Sequence, residues 1–152
     1  MIRLLLPPLL SLLLITACGG GGTGSTSAPD QPLDLDAETV QSWRLWAIRA
    51  QQIASLTEDQ YRAPALTPAR ASEQQGRAER LAAEIRSAAS STEPVLRLAD
   101  DLDELIEGLQ FGIEYSTNTG ASVIAIRIPT LEEAFDQLAE DADAVIEMLQ
   151  ED

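Results

Sequence analysis

Carboxylates dominate the side chains of this sequence that could do chemistry. Its 152 residues hold 25 Asp and Glu against 10 basic residues, a formal charge of −15, and all ten basic residues are Arg. There is no His and no Lys, and Cys18 is the one cysteine. Without imidazole there is no Ser-His-Asp or Cys-His pair and no histidine metal ligand. Without Lys there is no Schiff base and no phosphate-gripping lysine of the Walker type. Carboxylate pairs alone can hydrolyse glycosidic bonds when they face each other across ~5–10 Å, yet the acids here are spaced to point away from the apolar seams. The sequence therefore reads as a binding protein without a cofactor, and not as an enzyme.

The acids are unevenly distributed. Residues 37–91 hold six acids and seven Arg, a balance of +1, whereas residues 92–152 hold sixteen acids and two Arg, a balance of −14. Asp100, Asp101, Asp103, Glu104 and Glu107, and farther on Glu140, Asp143 and Glu147, fall off the hydrophobic stripes and form a candidate docking face. Like charges three and four residues apart weaken a helix, so this density does not serve helix stability. A solvated face that keeps the chain soluble would need nothing more. The functional alternatives are a basic protein segment, a polyamine or a cationic peptide, and weak divalent-cation binding by oxygen ligands. Nucleic acid is disfavoured, because its affinity comes from Lys and Arg neutralising phosphates. A dedicated metal site is not expected: Asp34, Asp36 and Glu38 have the spacing that opens an EF-hand loop, but Thr39 replaces the turning Gly and Leu45 stands where the bidentate Glu belongs.

Two smaller groups are candidate ligand sites. Trp43 and Trp46, three residues apart, could line an apolar pocket, with Arg44 or Arg49 taking an anionic head and Arg49 placed for a cation–π contact with Trp46; core packing is the plainer reading. Tyr115, Asn118 and Arg127 are the polar residues of varied chemistry around a long connection, and Arg127 has many acids with which to pair.

The N-terminus carries an address. After Met1, Ile2 and Arg3, an apolar run of roughly 14 residues is too short for a spanning helix of ~20. It ends Ile15-Thr16-Ala17-Cys18, which resembles the lipobox of bacterial lipoprotein signals. The resemblance, confined to residues 1–24, implies cleavage before Cys18 and acylation of that residue. Gly19, where an Asp would retain the protein at the inner membrane, implies sorting to the outer membrane, facing the periplasm. Acylation by more than one chain anchors stably. Residues 1–17 are thus the expected signal peptide and residues 18–35 a Gly/Ser/Thr/Pro tether with a reach of roughly 20–25 Å.

The elements that must position these side chains are helices. Residues 36–152 carry apolar periods of three and four in four segments. The first spans about 37–56, capped by Asp34 or Asp36, with Val40, Trp43, Trp46, Ala47, Ala50, Ile53 and Ala54 inward. The second opens at Thr67-Pro68 and runs to about residue 90 with Ala71, Ala78, Leu81, Ala82, Ile85, Ala88 and Ala89 inward. The third follows Thr92-Glu93-Pro94 with Val95, Leu98, Leu102, Leu105 and Leu109. The fourth opens on a Thr130–Glu133 capping box and carries Leu131, Phe135, Leu138, Ala142, Val145 and Leu149. One-sided stripes must be buried against each other, so the expected fold is all-α, a four-helix bundle of two helical hairpins with a long third connection. Alanine-rich seams predict close approach of the first two helices. Gly108 and Gly112 predict a close crossing, a bend or an early helix end. Residues 116–129 form the long connection, in which Ile124, Ile126 and Ile128 alternate as in a strand; an apolar cover over the bundle, pairing with another chain and a short helical turn are the alternatives.

Overall fold

The computed structural model describes residues 35–150 and contains four helices, α1 (Ala37–Arg62), α2 (Pro68–Ser87), α3 (Glu93–Thr119) and α4 (Pro129–Met148). The expected signal peptide, Cys18 and the tether before Leu35 lie outside the described residues. Among the described residues no strand forms, and no helix is long and apolar enough to cross a membrane.

Local chemistry explains where the helices begin. Asp36 caps α1, Oδ1 accepting from the Thr39 amide at 2.8 Å and Oδ2 from its hydroxyl at 3.0 Å. These bonds favour the charged form and hold the Asp36 carboxyl below its ordinary pKa. Thr67 caps α2 through the Arg70 amide at 3.2 Å, with Pro68 in the first turn. Thr92 precedes α3 without a side-chain cap bond. At α4 the expected capping box does not form. The helix starts at Pro129, which places Thr130 inside the first turn, and Ile128 is the capping residue. The Ile128 amide donates instead to the Tyr61 hydroxyl, at 2.8 Å.

The helices form an all-α four-helix bundle whose core is nearly the set of apolar positions that the periodicity selects. Trp43, Ala47, Ala50, Leu81, Ile85, Leu98, Leu102, Leu105, Leu109, Leu131 and Leu138 are fully buried. Val40, in the first turn of α1, is half-buried; Ala88 is half-buried and Ala89 exposed, because α2 ends at Ser87 and the chain turns away there. α1 runs past residue 56 to Arg62. Thr57 continues the stripe as a buried residue whose hydroxyl donates to the Ile53 carbonyl at 2.7 Å, so a polar side chain sits in the core already satisfied. Tyr61 follows one turn later.

Packing is closest where glycine permits it. A Cβ on Gly108 would stand 2.9 Å from the Leu131 Cα, and one on Gly112 would stand 3.0 Å from Ile124 and 3.2 Å from Ile128. Gly108 therefore lets α3 lie directly against the Leu131 backbone of α4. Gly112 makes room for the connection that follows α3. The expected intimacy of α1 with α2 is not found. The extensive contacts run from α2 to α3, α3 to α4 and α4 to α1, and α1 against α2 is the loosest of the four neighbouring pairs. Ala47, Ala50, Ala78 and Ala82 are buried in the shared core, while Arg49, Gln52, Arg77 and Arg80 stand along the boundary and keep it open.

The third connection is shorter than 116–129, because α3 continues to Thr119. Gly120, at φ +70°, then ends the helix in the left-handed conformation that lacks a penalty only without a Cβ. Residues 120–128 form no strand and lie over the bundle as an apolar cover. Ile124 and Ile128 are buried, and the Ile124 amide donates to the Leu66 carbonyl at 2.8 Å. Tyr61 fastens the far end, its hydroxyl donating to the Ile126 carbonyl at 2.9 Å while it accepts from Ile128.

Candidate functional site

The outer surfaces of α3 and α4 carry the candidate acidic face. Asp100, Asp103, Glu104, Glu107, Glu140, Asp143 and Glu147 are all exposed. Three of them have partners within the chain. Arg86, reaching across from α2, donates through Nη2 to Asp100 at 2.9 Å and Asp103 at 2.7 Å, and also to the Ala99 carbonyl at 3.1 Å. Hydrogen bonding to these carboxylates raises the Arg86 pKa further. Asp143 accepts from the Gln51 amide of α1. Glu104, Glu107, Glu140 and Glu147 form no ion pair among the described residues. Of the candidate docking residues these four, spread along two adjacent helices, are free to meet a cationic ligand, as are the exposed Glu133 and Asp136 of α4.

Asp101 departs from the expected outward orientation: it is only 9 % exposed. It stands three residues after Leu98 and seven before Gly108, on the side of α3 that meets α4 rather than on the solvent side. Its Oδ2 is buried without a hydrogen-bond partner. Burial, then the neighbouring Asp141 carboxyl of α4, then Glu104 and Asp100, push its pKa up to about 7. Asp101 is therefore a titrating group between two helices and is removed from the docking face.

Trp43 and Trp46 belong to the core, at 0 % and 5 % exposure, and do not line an open pocket. The Trp46 indole donates to Glu84 Oε1 at 2.9 Å, and Arg49 donates to Oε2 of the same carboxylate at 2.7 Å. Arg49 thus meets Trp46 through a shared carboxylate in place of the expected cation–π contact. The two donors hold the Glu84 carboxyl below its ordinary pKa. A cation–π contact does form elsewhere, with Arg62 over the Phe135 ring at 5.6 Å. Arg44 lines a shallow apolar cleft of about 710 Å³ with Leu35, Val40, Leu45, Ile48 and Leu149.

The cluster of Tyr115, Asn118 and Arg127 is not brought together as a loop. Tyr115 and Asn118 lie in the last turns of α3. Arg127 pairs with Glu132 at 3.4 Å and borders a small cleft with Tyr61, Arg62 and Ile126. Tyr61 and Arg86 are the organising residues that the apolar stripes pass over. Tyr61 continues the α1 stripe four residues after Thr57, and that interval is the signal that finds it. Arg86 is recognisable only once α2 lies beside α3.

Among the described residues no group of three or more His, Cys, Asp or Glu side chains is arranged to hold a metal ion. The site can offer multivalent attraction for cations along α3 and α4. No known protein family, curated protein or solved structure matches this chain.

Proposed function

We propose that the protein is a lipid-anchored module of the cell envelope, held at the outer membrane and facing the periplasm, whose α3–α4 face docks a basic protein partner. The observation that carries this reading is the set of unpaired, exposed carboxylates at Glu104, Glu107, Glu140 and Glu147, within a segment holding sixteen acids and two arginines. Exposed charges of one sign steer a complementary partner and dominate the on-rate more than the final affinity. The Ile15-Thr16-Ala17-Cys18 sequence supports the anchor, and the glycine-rich tether gives the bundle reach beyond the bilayer.

Affinity capture from solubilised envelopes tests the docking. The partner's yield falls steeply between about 0.05 and 0.2 M salt, as the screening length shortens toward ~8 Å. Capture that is insensitive to salt, or that recovers no basic protein, defeats the proposal. The anchor is tested separately by the mass of the mature N-terminus, which carries acyl groups on Cys18 in the native chain and none in Cys18→Ser.

A further inference from the structure

The loosest boundary of the bundle, between α1 and α2, also gathers arginines. Arg49 from α1 and Arg77 and Arg80 from α2 border a cleft of about 150 Å³, with Gln52 and Ile53 completing its walls. Arg77 and Arg80 stand three residues apart on one helix face, where like charges repel, and Arg49 opposes them across the cleft. Two carboxylates answer these three cations: Glu84 takes Arg49 at 2.7 Å and Glu73 takes Arg77 at 2.6 Å. Arg80 has no ion-pair partner among the described residues. Gly76 leaves it room to lie back along α2, a Cβ there being 3.4 Å from Arg80 Nη1. The cleft is therefore locally cationic in a chain whose net charge is −15. Both ion pairs are at the surface, with side chains 44–56 % exposed. Such pairs contribute little and exchange readily for a better anion.

Beside the cleft lies a shallow, open depression that shares Gln52 and Arg77 and is lined also by Gln51, Ser55, Leu56, Asp59 and, from α4, Ala139; the Gln51 amide there donates to Asp143. Its amides, hydroxyl and carboxylate are the donors and acceptors that suit a hydroxyl-bearing body. Guanidinium forks match the terminal oxygens of a phosphate better than a lysine would.

We propose that this cleft binds a phosphomonoester, its dianionic head held by Arg49, Arg77 and Arg80 and its polyol body laid along Gln51, Gln52 and Ser55. The three arginines lie on α1 and α2, and Gln51 touches the acidic face only through Asp143, so a loss on Arg80→Gln reports on this cleft and not on Glu104, Glu107, Glu140 or Glu147. Binding has a built-in reporter: Arg49 shares Glu84 with the Trp46 indole, and drawing Arg49 toward an anion alters that hydrogen bond and hence the indole emission.

The test is titration of the full chain in neutral detergent with glucose 6-phosphate, inorganic phosphate and glucose, followed by calorimetry and tryptophan fluorescence. Glucose 6-phosphate binds saturably with a Kd on the order of 1 mM or tighter, inorganic phosphate binds more weakly and glucose not at all. Arg80→Gln weakens binding about ten-fold or more, as expected for losing a charged hydrogen bond. Arg70→Gln leaves it unchanged, because Arg70 is on α2 outside the cleft and donates to the Ala65 carbonyl. Binding to phosphatidic acid vesicles but not phosphatidylcholine vesicles, lost in Arg80→Gln, would place the same phosphomonoester on a lipid headgroup. No saturation by any of these probes, or equal losses in Arg70→Gln and Arg80→Gln, overturns the proposal.

Discussion

Replacing Asp101 by Asn makes the chain more stable in alkaline than in acidic solution relative to the native protein. Asp101 is 9 % exposed, faces Asp141 across the α3–α4 contact, and has a pKa pushed from 3.8 up to about 7 by burial and by that neighbour. The folded protein therefore retains a proton that the unfolded chain releases near pH 4. Stability from this group is present in full below pH ~4 and lost as the pH rises toward 7, the sign opposite to that of a salt-bridged carboxylate. A carboxyl moved that far is linked to at most about 4 kcal/mol. Solvent beside half-buried Asp141, and Arg97 near both acids, screen the penalty to about 1–2 kcal/mol. Asn keeps the shape, can donate to the Asp141 carboxylate and carries no ionisable proton. With an unfolding entropy of roughly 2.1 cal/mol/K per residue, 1–2 kcal/mol corresponds to about 4–8 °C in Tm for a body of this size. Thermal melts followed by circular dichroism at pH 4.5, 6, 7.5 and 8.5 measure it. Asp101→Asn melts near the native temperature at pH 4.5 and progressively above it by pH 8.5. A difference that is constant across pH, or a variant that is less stable at pH 8.5, refutes the buried-pair argument.

Other substitutions read the packing. Gly108→Ala places a methyl 2.9 Å from the Leu131 backbone and costs about 1–3 kcal/mol in denaturant unfolding. Gly112→Ala meets only isoleucine side-chain ends and is milder, since the better helix propensity of Ala offsets about 1 kcal/mol. Tyr61→Phe removes the acceptor of the Ile128 amide and the donor to the Ile126 carbonyl; it costs about 1–2 kcal/mol, and hydrogen exchange at Ile128 accelerates more than exchange in the centre of α3.

Positions spaced by three and four were the legible part of this chain, because helical geometry turns spacing directly into facing. Leu98, Leu102, Leu105 and Leu109 on α3, and Leu131, Phe135 and Leu138 on α4, are buried for that reason. Facing is harder to assign beside a seam. Asp101 borders the leucine stripe, and only the contact with α4 at Gly108 decides that it points inward. Polar residues also conceal helix. Thr57 interrupts the apolar run yet is buried, and behind it the sequence Glu58-Asp59-Gln60 hides the structural role of Tyr61. Which helices neighbour each other is not written in any one stripe, so the Arg86 bridge to Asp100 and Asp103 and the open α1–α2 boundary emerge only from the assembled bundle. The acidic excess of residues 92–152 was visible as composition; its division into paired and free carboxylates was not.

The absence of lysine makes the central claim unusually direct to test. A zero-length reagent that joins carboxylates to primary amines has no lysine to use within this chain, so in native envelopes its products, apart from those to a free α-amino group, report contacts with other molecules. Mass spectrometry after such crosslinking should find Glu104, Glu107, Glu140 or Glu147 joined to lysines of a basic protein, with the yield collapsing when these four are changed together to Gln. Crosslinks concentrated on Glu73, Glu79 or Glu58 of α1 and α2, or none from α3 and α4, would contradict the account of an acidic docking face.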